Sequence, residues 1–313
     1  MEYTTLGRTG LNVSRMGLGC GGPSRLGMQT GRTAADAETV VREALALGVN
    51  FIDSAEAYGT EEIVGRAIAG TPRDQVILST KAGVKRDDRQ STAAEYRGRV
   101  EACLRRLGTD YIDVFHVHGV AVADYAYARD ELAPVLAAMR QEGRVRFIGI
   151  TETFGWDPSH AMLQQAIHDP VWDVMMVGFN VLNQSARERV LASTQRQDVG
   201  TLCMFAVRRA LTRPEVLREQ VLELIGKGLV DAAGLDPDDP LGFVVTEGGA
   251  ESVTDAAYRF CRWEPGLDVI LSGTSSVEHL RENAASLARG PLPESVAQRL
   301  RDLFARVDSV SGN

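Results

Sequence analysis

The sequence predicts an α/β protein in which eight parallel strands, each followed by a helix, close into a (β/α)8 TIM barrel with an N-terminal β-hairpin in front. Three observations predict it. Short apolar runs alternate with amphipathic stretches along most of the chain. Several of those runs are almost continuously Val- and Ile-rich, the pattern of strands buried on both faces. The length of 313 residues suits such a barrel, which uses about 250 residues or more in one piece, so residues 1–313 are read as one domain.

Taken in order, MEYTTLGRTGLNVS turns at Gly7 and Gly10 and reads as the hairpin. The expected barrel strands are Met16–Gly19, Val49–Ser54, Val76–Lys81, Tyr111–His118, Arg146–Thr151, Val174–Phe179, Thr201–Val207 and Asp268–Gly273. The intervening helices are expected at Ala34–Leu47, Glu62–Ala69, Tyr96–Leu107, Leu132–Gln141, Asp157–His168, Arg187–Gln195 and Asp255–Trp263, with Val277–Leu287 after the last strand. Gly48 and Gly108 stand where helices stop. The long stretch Leu211–Thr254 contains the turn-rich GLDPDDPLG and is expected to combine a helix with a loop over the functional face.

Composition narrows the partners. A net charge of -8 with no Lys/Arg-rich run argues against nucleic acid and anionic membranes. The N-terminus lacks an apolar signal segment, and no run approaches the ~18 apolar residues of a membrane span, so a cytoplasmic protein is expected. Cys20, Cys103, Cys203 and Cys261 are widely spaced, with no CxxC pair, and read as buried thiols.

In a barrel of this kind, chemistry sits where strands end in βα loops. Asp53, Tyr58, Lys81 and His118 all fall there. Singly each has an ordinary explanation: a cap, a packing aromatic, a solvated strand end, a core histidine. Together they form an acid. A lysine beside a tyrosine is expected to lower the phenol pKa from about 10, and a carboxylate fixes the lysine. Such a phenol can protonate a carbonyl oxygen while an imidazole orients it. The hydride must come from a nicotinamide cofactor.

NFIDSAEAYGTEEIVGRAI, STKAG, VEACLRRLGTDYIDVFHVH, IGIT and LSGTSSVEHLRENAASL together resemble the aldo-keto reductase family from Leu6 to Leu287. The resemblance implies Tyr58 as proton donor, Asp53 and Lys81 as its tuning pair, and His118 as the group that orients the carbonyl. It also implies a nicotinamide site with departures from the usual pattern. Thr151 and Glu152 occupy the Ser-Asn positions after strand five, Met176 that of a strand-six glutamine, and Phe205 that of the aromatic that stacks on nicotinamide. Gly273 and His279 stand where relatives often carry cations for the ribose 2′-phosphate, and Glu282 and Asn283 match adenine-side residues. NADP(H) follows from the family's habit; the missing cations point to NAD(H) or dual use. The backbone N–H groups of Gly273, Thr274 and Ser275 lie ahead of a helix and can cradle phosphate. Arg208 reads as surface charge or as a contact to cofactor phosphate or an acidic substrate.

Three rival readings have a basis in the residues. Gly17, Gly19 and Gly22 fit G-x-G-x-x-G, but a long loop follows instead of a helix, and Asp53 lies beyond the expected ~20 residues. His116 and His118 point to the same face of one strand, as in some metal barrels, without evident further ligands; no metal is expected, and His116 is placed one layer deeper. A cofactor-binding regulatory subunit with little turnover would keep the fold. Substrate identity, a small carbonyl or alcohol, and oligomeric state are not encoded in any pattern recognised here.

Overall fold

The computed structural model describes residues 1–313. The chain begins with β1 (Tyr3–Thr5) and β2 (Asn12–Ser14), an antiparallel pair with Thr4 opposite Val13. The apolar runs then become β3 (Met16–Gly19), β4 (Phe51–Asp53) and β5 (Ile77–Gly83). A two-residue hairpin, β6 (Lys85–Arg86) and β7 (Arg89–Gln90), follows. Then come β8 (Ile112–Val120), β9 (Val145–Glu152), β10 (Val174–Gly178), β11 (Gly200–Met204) and β12 (Val269–Ser272). β3, β4, β5 and β8 to β12 pair in parallel and close into a barrel in chain order, β12 returning to β3. The expected TIM barrel and its N-terminal hairpin are both present. Closure leaves no open sheet edge, which removes the doubly wound alternative suggested by Gly17, Gly19 and Gly22.

The glycines of β3 serve packing instead. A methyl on Gly17 would lie 2.8 Å from the side chains of Val269 and Leu271. Inside the barrel, Phe51, Ile77, Val114, Val174, Leu202 and Val269 form an apolar floor, and Leu6, Leu11 and Val13 of the hairpin region join it from below. Leu6 presses on β11 so closely that a methyl on Gly200 would come within 2.8 Å of it. The N-terminal end of the barrel interior is thereby plugged.

The helices follow their sequence signals. Ala34–Ala46 and Ala93–Leu107 each start with a capping box, Thr33 with Asp36 and Thr92 with Glu95, and Gly108 ends the second in the left-handed region. Three expectations are corrected. The helix placed at Asp157–His168 spans only Ala161–Ala166, because the Asp157 carboxylate caps the N–H groups of Ala161 and Met162 and His160 is left-handed at φ 62°. The stretch after β11 holds helices Arg209–Thr212, Pro214–Gly226 and Phe243–Thr246 with GLDPDDPLG as loop between the last two. A final helix, Glu294–Leu303, was not expected; it buries Val296 and Leu300. The hairpin β6–β7 also escaped the sequence reading, since its residues are exposed and polar and its turn rests on Asp87 and Asp88 with positive φ. No helix is long and apolar enough to cross a membrane.

Leu6 is wholly buried at the plug. Leu6→Ala should lower unfolding free energy by about 2–5 kcal/mol through lost burial and a residual cavity. Urea unfolding checks this, and a change below about 1 kcal/mol would mean the hairpin is not an integral part of the barrel floor.

Candidate active site

Asp53 ends β4 and sits beside Gly19 of β3 and Ser79 of β5 in the register. Its alternation with Phe51 turns it into the barrel above the apolar floor. Lys81 points inward from β5 and is almost fully buried, with 1% of its side chain exposed. Its Nζ donates to both Asp53 oxygens at 2.7 Å and to the Ser54 carbonyl at 2.8 Å, while the Ser79 hydroxyl donates to Asp53 Oδ1 at 2.8 Å. The ammonium is thus satisfied without water. Burial pulls the Lys81 pKa down, but Asp53 and Tyr58 together outweigh it and raise the pKa above the ordinary lysine value.

Tyr58 closes the short turn Glu56–Tyr58 after β4. Lys81 Nζ lies 5.2 Å from its ring centroid, and the His118 ring meets it edge-on at 5.6 Å. The tyrosine pKa runs opposite to the expectation from sequence. Burial raises it above its usual value of 10, and Asp53 adds to the rise, against the lowering by Lys81. The physical reason is burial of the phenol, which outweighs the lowering by Lys81, itself partly offset by Asp53. His118 projects from β8, two register steps above the pairing of Lys81 with His116 and so on the same face. Burial first, then Lys81 and Arg99, pushes His118 down to about 3, so the imidazole is neutral at physiological pH. His116 lies one layer deeper against β9, where a methyl on Gly149 would come within 2.1 Å of its Nδ1. No three His, Cys, Asp or Glu side chains gather into a metal-binding group.

Several supporting residues carried no signal of their own in the sequence. Glu56 receives two hydrogen bonds from Arg99, whose guanidinium also donates to the Gly83 carbonyl at 2.7 Å and Ser91 Oγ at 2.8 Å. That anchors the turn bearing Tyr58 to β5 and the helix Ala93–Leu107. Gly21 lies flat against the tyrosine, since a methyl there would sit 2.4 Å from the ring.

A cavity of about 810 Å³ opens from Asp53 and Tyr58 toward the loop after β12. It brings together eight of the eleven residues expected around the cofactor: Met176, Phe205, Arg208, Gly273, Thr274, His279, Glu282 and Asn283. Gly273 rests with its Cα face on the Gly19 carbonyl, 3.0 Å from where a methyl would be. Asn283 is held by a 3.0 Å bond from Nδ2 to Ser272 Oγ. Arg208 is half-buried rather than a plain surface charge: its guanidinium lies 4.2 Å from the Phe205 ring centroid and its Nε donates to Asn313 Oδ1 at 2.7 Å.

Three expected residues lie outside that lining. Thr151 is buried beneath the mouth, with Oγ1 accepting from the Gly119 N–H at 2.7 Å. Ser275 packs beside Arg32: a methyl on Gly27 would fall 2.7 Å from Arg32 Cβ and 3.0 Å from Ser275 Cβ. Glu152 lies away from the lining in a different way. With Thr151 facing in, strand alternation turns Glu152 out of the barrel, where its fully buried carboxylate accepts from the Gly178 N–H at 2.7 Å and faces His160 Nδ1 at 3.0 Å. It is not among the residues that line the cavity.

Comparison with known proteins agrees with this architecture. The sequence profile of the Aldo/keto reductase family matches residues 15–305. An aldo-keto reductase of Bacillus subtilis, YhdN, is 32% identical over 71% of this chain and 67% of its own. An NADH-specific methylglyoxal reductase of Escherichia coli is 26% identical over 92% of this chain and 94% of its own. An L-galactose dehydrogenase of Arabidopsis thaliana is 37% identical, but the match spans 48% of each chain. Among solved structures, the holo form of an aldo-keto reductase from Bacillus halodurans superposes with a TM-score of 0.76 at 23% identity, covering 99% of this chain and 98% of that one, a likeness of fold. The chain belongs to the aldo/keto reductase family of NAD(P)H-using oxidoreductases.

Proposed function

We propose that this enzyme interconverts a small carbonyl compound (an aldehyde, ketone or sugar) and its alcohol, with Tyr58 as general acid and, in reverse, general base. The observation that carries this reading is the single cavity of about 810 Å³ whose lining includes both Tyr58 and Asp53 and the loop residues Gly273 and Thr274, so that an acid and a phosphate cradle border one space. A nicotinamide bound there would supply hydride to, or accept it from, the substrate carbon. Tyr58 gives its proton to the carbonyl oxygen, and the neutral His118 can donate one N–H to that oxygen. Lys81 holds Tyr58 in a positive field while staying locked to Asp53. Thr274 and Gly273 offer backbone N–H groups to phosphate, and Phe205 offers its ring to nicotinamide.

For the dinucleotide, the lining argues for NADH at least as strongly as for the NADP(H) expected from the resemblance. Arg208 is its single Lys or Arg side chain, and Glu282 adds a negative charge, while Glu251 and Asp255 are paired with Arg289 and Arg259. The printed name of the Escherichia coli relative, NADH-specific methylglyoxal reductase, supports the same choice and a 2-oxoaldehyde as a first substrate to try. The partial match to an L-galactose dehydrogenase adds aldoses, in the oxidative direction. All four cysteines are free and buried, which supports a reducing, cytoplasmic setting.

Tyr58→Phe should keep cofactor binding and lower kcat by roughly 10² to 10⁴ with methylglyoxal or L-galactose, the scale of general acid catalysis. Stopped-flow and steady-state rates test it, and a near wild-type rate would remove Tyr58 from the chemistry. Because the Tyr58 pKa is raised, the protonated acid persists to alkaline pH. Reductive kcat/KM is therefore expected to stay flat from about pH 6 to 9, while oxidative kcat/KM climbs with pH across that range. A reductive rate that falls through pH 7 would contradict a neutral phenol. Fluorescence titration with the two reduced dinucleotides should give NADH a dissociation constant no weaker than that of NADPH; a clear NADPH preference, on the order of 1.4 kcal/mol or more, would reverse the assignment.

A further inference from the structure

Glu152 is a buried carboxylate that the proposed chemistry does not use, and everything it touches leads toward Phe205. Its carboxylate holds the Gly178 N–H at the top of β10 and faces Nδ1 of His160 with both oxygens at 3.0 Å. His160 is itself fully buried and left-handed, a conformation few non-glycine residues adopt, and its Nε2 has no partner. An imidazole held this way at one nitrogen has one remaining function, its flat face. That face stacks on Phe154, with centroids 5.2 Å apart and planes 14° from parallel.

Phe154 is pinned from the other side as well. A methyl on Gly178 would lie 2.1 Å from the Phe154 ring, so the ring rests on bare β10 backbone. The same ring meets Phe205 in a perpendicular contact at 5.5 Å. Phe205 lines the cavity, has a positive φ of 66°, and is tied through its carbonyl to Asn180 Nδ2 at 3.2 Å. A bulky residue in that backbone region persists only where its surroundings impose it. The surroundings here are a relay of flat groups in fixed order: carboxylate, imidazole, Phe154, Phe205.

We propose that Glu152 and His160 are positioning residues for the cofactor, which act through Phe154 to hold the Phe205 ring at the angle from which it packs against nicotinamide. The proposal rests on the reading of Phe205 as the nicotinamide-facing aromatic. Glu152 thus occupies a cofactor-site position in the sequence while working from the outer face of the barrel.

A double-mutant cycle tests it, with NADH affinity read by fluorescence titration well below the unfolding temperature. Glu152→Ala is expected to weaken NADH binding roughly 5- to 20-fold in otherwise wild-type protein and less than about twofold in a Phe205→Ala background, because the ring it positions is gone. Glu152→Gln, which retains the acceptor for Gly178, should recover most of the affinity. His160→Asn tolerates the left-handed backbone and removes the ring; it should reproduce the Glu152→Ala effect if that variant fails to fold. Weakening by Phe205→Ala with none by Glu152→Ala or His160→Asn overturns the relay alone. Equal effects of Glu152→Ala in both backgrounds also overturn it, since they indicate general destabilisation. Unchanged affinity in Phe205→Ala overturns the cofactor reading of Phe205, and the relay with it.

Discussion

The buried ion pair of Lys81 with Asp53 is the constraint on which the rest of the site depends. An ammonium inside a barrel is costly to desolvate, several kcal/mol even after relaxation, and the cost is offset only when every proton has a partner. Here all three protons do, on the two Asp53 oxygens and the Ser54 carbonyl, and Ser79 completes the carboxylate. The consequence reaches Tyr58. A lone ammonium about 5 Å away would favour the phenolate by about 3 kcal/mol at an effective dielectric of ~20. Beside its own carboxylate the net field is much smaller, and burial of the phenol prevails. The same pairing that makes a buried lysine possible therefore keeps the tyrosine protonated, the form a proton donor requires.

Space is the second constraint, and glycine sets it. Four large side chains stand where a neighbouring strand or loop has none: Leu6 over Gly200, His116 over Gly149, Phe154 over Gly178, and Tyr58 over Gly21. Close packing turns each pair into a lock, because a single methyl at any of these glycines would force a shift of the facing ring or chain. The first two locks fill the barrel from the plug upward. The last two fix Tyr58, which lines the cavity, and Phe154, which packs against the cavity-lining Phe205.

The strands were legible because parallel strands buried on both faces write themselves as apolar runs, and Asp53, Lys81 and His118 because they terminate those runs. What was not legible followed from direction and field rather than residue type. Thr151 and Glu152 are adjacent, and alternation allows only one of them to face the barrel; matching both to a family pattern ignored that parity. The sign of the Tyr58 shift depended first on how deeply the phenol is buried, which spacing does not reveal. Arg99 and Glu56 lie far apart in sequence and meet only through the fold. The exposed hairpin β6–β7 and the final helix lay outside the βα rhythm that guided the reading.

Barrel order explains why the site has two characters. Asp53, Lys81 and His118 come from β4, β5 and β8, which are consecutive neighbours, and Lys81 is bonded directly to Asp53. Met176, Phe205 and Gly273 come from β10, β11 and the loop after β12, on the other half. The two halves meet at the seam where Gly19 of β3 pairs with Asp53 of β4. Gly19 supports Gly273 on one side of that seam, and Gly21 touches Tyr58 on the other. The start of the loop leaving β3 accordingly touches both the acid and the loop expected to cradle phosphate. Glycine is needed at Gly273 and Gly21, where a methyl would lie 3.0 Å from the Gly19 carbonyl and 2.4 Å from the Tyr58 ring.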